Sequence, residues 1–156
     1  MWWRRLRYVL LLTSLCAIAP CPSAKRACTA NTRAKEADEL LGYLADRVAQ
    51  TFAATGKLPA TPAGPTPTPG CCEQGGGECS ADPTLWASAG WRELGFSIDD
   101  AFRYTYEYAP DPSGRFAVLR ATGDLDCDEK KSSYEVKLSI VGTKLVRTWT
   151  RKDPSE

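Results

Sequence analysis

Phe102, Tyr104, Tyr106 and Tyr108 alternate strictly with Arg103, Thr105 and Glu107, and this run constrains the chain more than any other stretch. Period-two alternation marks a strand with one apolar and one polar face. Four consecutive rings on one face need a core to cover them, since each buries on the order of 150–250 Å². Trp91, Leu94, Phe96 and Ile98 lie just upstream and are expected to close an end or edge of the sheet that this strand begins. Rings at these spacings read as core rather than as a ligand box.

A helix is available to cover them. Ala37, Leu41, Leu44, Val48 and Phe52 recur three or four residues apart, which makes one apolar stripe. Asn31 or Thr32 can cap its start, and Glu36, Asp38 and Glu39 place acid in the first turns, where the helix dipole favours it. Gly56 can end it in a left-handed cap. The spacing predicts a helix over 31–54. Residues 59–70 then hold five Pro and two Gly, which predicts an extended surface segment within a Pro/Gly/Cys loop at 57–82. Asp82 followed by Pro83 reads as the capped start of a short helix.

Downstream the period stays at two. After the aromatic strand, 110–114 is a turn rich in Pro, Asp and Gly. Further strands are expected at 115–122, 134–140 and 144–150. Short connections favour an antiparallel meander. The expected fold is α+β: a long N-terminal amphipathic helix packed on a four-stranded antiparallel sheet spanning 102–150, with a charged, disordered tail at 151–156.

Length allows one domain, here 25–150, and hardly two. Charge is nearly balanced, with 20 Lys+Arg against 19 Asp+Glu, so there is no field for nucleic acid or an anionic membrane. The chain contains no His. That absence removes the usual general base, the Ser–His and Cys–His nucleophile pairs and the commonest metal ligand. Asp99 with Asp100, and Asp124 with Asp126, are carboxylate neighbours that make no catalytic cleft by themselves. No catalytic residue is assigned, and a non-enzymatic protein is expected.

The N-terminus is basic through Arg7, apolar over 8–19, then small and helix-breaking, which is the order of a secretory signal peptide over 1–24. Cleavage after Ala24 or lipidation at Cys21 would follow, the latter giving a membrane anchor. Seven Cys in an exported chain read as disulfides. Cys71 and Cys72 are adjacent and are not expected to pair with each other. The glycine-rich spacer lets Cys79 turn back onto either one, which leaves the other for Cys127; a zinc site from the same four is the weaker reading.

One stretch carries ligand chemistry. Asp124, Asp126, Asp128 and Glu135 occupy positions one, three, five and twelve of a calcium-type loop. Glu129 stands where that loop wants Gly, and Lys130 and Lys131 bring positive charge beside the cation. A calcium site and a solvated acidic loop are the two readings.

The order of a helix, a Pro-rich loop with a Cys pair, Trp91-Arg-Glu-Leu-Gly-Phe-Ser-Ile-Asp-Asp100, a Tyr-alternating strand and Gly123-Asp-Leu-Asp-Cys-Asp128 resembles the globular headgroup of type IV pilin-like (prepilin-type and pseudopilin) proteins of myxobacteria and relatives. The resemblance covers roughly residues 33–140. It implies a helix spine on an antiparallel sheet, and a structural role in a surface filament or its secretion machine. No Gly precedes Gly42, no Glu precedes Glu36, and Pro20 and Pro22 interrupt the apolar run, so residues for prepilin processing and filament-core packing are missing. The expectation is therefore a non-catalytic exported protein of the periplasm, cell envelope or exterior. It would be a minor component or solitary headgroup, with other pilin-like or secretion-system proteins as partners. The alternative is a calcium-stabilised binding or adhesion module.

Overall fold

The computed structural model describes residues 22–154, with side chains from Lys35 onward. The signal peptide and lipidation expectations, Cys21 included, fall on residues 1–21 and so lie outside the described residues. The elements are α1 (Pro22–Thr55), β1 (Ala63–Thr66), a 3-10 turn (Pro83–Trp86), α2 (Ala89–Leu94), β2 (Thr105–Pro110), β3 (Phe116–Gly123), β4 (Ser132–Val141) and β5 (Lys144–Lys152). The strands form one antiparallel meander in the order β1-β2-β3-β4-β5.

The expected architecture, a long N-terminal amphipathic helix on a four-stranded sheet, is corrected on both counts. The sheet has five strands. The added one, β1, lies inside the segment expected to be loop, and β5 runs past 150 to Lys152. Proline bars a strand only where its missing N–H is needed by a neighbour; an edge strand needs half of its donors, and β1 is an edge. A Cβ at Gly64, where φ is +81°, would collide with the carbonyl of Tyr106, so the strand closes onto β2 only because that residue is glycine. The register shifts between Ala63, opposite Tyr108, and Thr66, opposite Tyr106.

On the helical side, among the described side chains, those of 35–55 pack together with α2 and the 3-10 turn. α1 also does not begin at Asn31 or Thr32. Nothing between Pro22 and Gly56 breaks a helix, and its Ala-, Lys- and Arg-rich first turns favour one. A good capping residue starts a helix only where the preceding backbone has reason to leave it. Gly56 ends α1 with φ +71° and a bond from its N–H to Phe52 O at 2.8 Å.

Ala37, Leu41, Leu44 and Val48 are fully buried. They meet the sheet face made by Tyr106, Tyr108, Ala117, Leu119, Ala121, Tyr134, Val136 and Leu138, all fully buried. Trp86, Trp91, Phe96, Phe102 and Tyr106 form a ring cluster at the β1–β2 end, with centroids 5.2–6.5 Å apart. Trp91 Nε1 donates to Thr66 Oγ1 at 2.8 Å, which ties α2 to the proline strand. Gly95 caps α2 in the left-handed conformation (φ +60°), and Arg47 of α1 donates to Leu94 O at 3.1 Å, satisfying a carbonyl at the helix end.

Among the described residues, the opposite sheet face has no helix packed on it. It presents Glu107, Arg120, Glu135 and Thr150 in one cross-strand row, in which Arg120 bridges Glu107 and Glu135 at 3.1 Å each. At the far edge, Arg147 pairs with Asp46 at 2.7 Å and Arg151 with Asp38 at 2.9 Å, tying β5 to α1.

Candidate recognition cleft

Two disulfides organise the loops at one end of the sheet. Cys71 pairs with Cys79 (Cα–Cα 5.1 Å) and Cys72 with Cys127 (5.5 Å), both within the span a disulfide bridges without moving backbone. The adjacent cysteines thus take one partner each, and all four are in bridges rather than around zinc. Cys79 also exchanges backbone hydrogen bonds with Phe102, at 2.7 and 3.1 Å. The first bridge therefore fastens its loop to the approach of β2. The second fastens the same loop to the β3–β4 connection. Gly77 (φ +66°) lies against it: a Cβ there would sit 3.3 Å from Cys127 Sγ.

Between these loops is a cleft of about 750 Å³. Pro65, Pro67 and Pro69 line one wall, and Asp124, Glu129 and Lys131 line the other. Thr105, Thr122 and Gly123 contribute the sheet end between them. Gly123 is required there by close approach, since a Cβ would lie 2.7 Å from Cδ1 of the buried Tyr104 ring. An apolar wall facing a charged one, at this volume, suits an extended peptide or a small polar molecule.

The acidic loop is folded on itself. Asp124 accepts hydrogen bonds from the N–H groups of Asp128 (3.1 Å) and Glu129 (2.8 Å). Asp128 accepts from Lys130 N–H at 3.0 Å and from Lys130 Nζ at 2.8 Å. Those Lys130 hydrogen bonds hold the Asp128 carboxyl below its ordinary value. Carboxylate oxygens of Asp124, Asp126 and Asp128 converge within 4.8 Å of one another. Glu129 stands at the position where a calcium loop wants glycine, and it takes φ +75°, beside Cys127 at +61°.

Glu135 is not brought to this group. It lies on β4 with its carboxylate on Arg120 Nε. Calcium takes six to eight oxygens. The loop offers three converging carboxylates, two of them also engaged by hydrogen bonds within the chain, and Glu135 is not among them.

A charged cluster that the sequence did not announce is centred on Arg103, which lines the cleft. Glu36 of α1 accepts from Arg103 N–H at 2.7 Å, from Arg103 Nη1 at 3.2 Å and from Tyr106 OH at 3.4 Å. Arg103 also pairs with Glu78, inside the first disulfide loop. Burial raises the Glu36 carboxyl above its ordinary 4.5, and the bonds and charge of Arg103 only partly oppose it. Burial likewise pushes the Tyr106 hydroxyl well up, with Glu36 adding to the effect. In sequence Glu36 looks like any acid in a first helical turn. Only its place across from Arg103, 67 residues away, distinguishes it. Asp99 has Ser97 Oγ at 3.5 Å and is exposed, as is Asp100.

Among the described residues no helix is long and apolar enough to cross a membrane. No family model, no curated protein and no solved structure matches the chain.

Proposed function

We propose that this chain is an exported, non-catalytic structural or interaction protein, and that the disulfide-tied cleft is where it recognises a partner protein. The observation that carries the reading is that adjacent cysteines send separate bridges into both loops flanking the cleft. Bridges of this kind are compatible with an oxidising, exported location. They hold an irregular, proline-lined surface in shape without a large core beneath it, which lowers the ordering cost of binding. A chain without His, whose cleft carboxylates serve hydrogen bonds and ion pairs, is better suited to recognition than to acid–base chemistry.

The residue resemblance makes a type IV pilus or type II secretion-like assembly the first partner to test. A photo-crosslinker at exposed Thr68 or Glu129, both lining the cleft, is introduced in native cells. An adduct with a component of such an assembly is the expected result. A soluble monomer, alone in every fraction and never crosslinked, refutes the reading.

A second reading, a calcium-stabilised binding or adhesion module, rests on the convergence of Asp124, Asp126 and Asp128. It requires millimolar calcium to raise Tm and Asp126→Ala to remove the gain. An unchanged Tm ends it.

A further inference from the structure

The two edges of the sheet are finished differently. β1 is four residues long, contains Pro65 and is followed by Pro67 and Pro69, so little of it can accept another strand. β5 is nine residues long and has no proline, and among the described residues only β4 pairs with it, on one side. Every β5 residue is exposed or half-buried. Its outer edge therefore offers an uninterrupted row of backbone donors and acceptors.

The side chains on that edge narrow what could pair with it. β5 carries Lys144, Arg147, Arg151 and Lys152 and no acid. Arg147 and Arg151 point to the helix face, where Asp46 and Asp38 already pair with them. Lys144, Val146, Thr148, Thr150 and Lys152 share the other face, with Val141 opposite Lys144. Val141 (62% exposed) and Val146 (45%) are two of the three large hydrophobic residues exposed among the described residues. The nearest acid along the chain is Asp153, just past the strand, and Glu135 on the same sheet face is held by Arg120.

A second copy is a poor occupant. Antiparallel self-pairing centred on Thr148 sets Lys144 against Lys152 at both ends. Sliding it by one residue on each strand sets Arg147 either against itself or against Arg151. Like charges directly opposite each other destabilise strand pairing.

From this edge we infer that β5 is a docking strand for an extended, acidic segment of a partner protein, which would add a sixth strand to the sheet. Main-chain hydrogen bonds would supply affinity. Acids opposite Lys144 and Lys152, with an apolar residue opposite Val146, would supply selectivity. The edge lies at the opposite end of the strand order from β1, so the inference is independent of the cleft.

The test uses the full oxidised protein and a nine-residue peptide with Glu at both ends, Val at the third and seventh positions and Thr elsewhere. Its pattern reads the same in either strand direction. The expected results are binding that weakens with salt and amide exchange slowed in β5 but not in the cleft. Binding should fall about fivefold in Lys144→Glu/Lys152→Glu, because each substitution turns an opposed charge pair into a like-charge pair. Both substitutions are at exposed positions, and an unchanged Tm shows that the variant is folded. The inference is overturned by no binding at millimolar peptide, by protection in the cleft instead, or by equal binding of a peptide with Lys in place of Glu. Concentration-dependent dimerisation without peptide would also overturn it, and would assign the edge to a second copy.

Discussion

Replacing Cys72 and Cys127 together by Ala isolates what the longer disulfide contributes. The bridge closes 55 residues of chain, and that ring contains the 3-10 turn, α2, β2 and β3. In the chain-entropy account, cross-linking a loop of that length removes about 14 cal/mol/K from the unfolded ensemble, or about 4 kcal/mol at 25 °C. Packing adds little to the comparison, because Cys127 is exposed and Cys72 only half-buried. Cys71 and Cys79 are 3% and 4% exposed, so the same substitution there would mix entropy with a core cavity. The assay is urea unfolding of the oxidised wild type and the double variant, followed by far-ultraviolet circular dichroism. Peptide mapping should show that Cys71–Cys79 still forms in the variant. With a urea slope of about 2 kcal/mol/M, the midpoint should fall by about 2 M. A fall under about 0.5 M would refute the argument, because the loops would then be held by their own contacts and not by the bridge.

Gly64→Ala should cost about 2–4 kcal/mol, since the residue has φ +81° and its new methyl would meet the Tyr106 carbonyl; a Tm within about 2 °C of wild type would mean that β1 is not seated on β2. Leu41→Ala, at a fully buried position on α1, should cost about 2–5 kcal/mol by urea unfolding, and a loss below about 1 kcal/mol would show that the helix does not cover the sheet. Glu36 binds its proton more tightly in the folded than in the unfolded chain, so its contribution to stability falls as pH rises from its ordinary 4.5 through the raised folded value. Glu36→Gln keeps an acceptor for Arg103 N–H and removes that titration. The stability of the variant relative to wild type should therefore increase with pH across the window, and a difference that stays flat would show that burial does not raise this carboxyl.

Patterns that need only neighbours in the chain were legible in the sequence. The aromatic run, the helical stripe with its Gly56 stop, and the meander of short connections all depend on local period and turn chemistry, and each appears in the fold. The spacing of the cysteines narrowed the bridges to two alternatives, but whether Cys79 takes Cys71 or Cys72 depends on the path of the loop over the start of β2. Three features needed tertiary placement. Residues 63–66 are a strand because they fall at a sheet edge, where proline's missing donor is tolerated. Glu135 completes a calcium spacing on paper, yet β-sheet register sets it opposite Arg120. Glu36 becomes a half-buried acid only because packing of α1 brings it over Arg103. Local sequence sets what each segment can be, while pairing, burial and charge partners are fixed only when distant segments share one space.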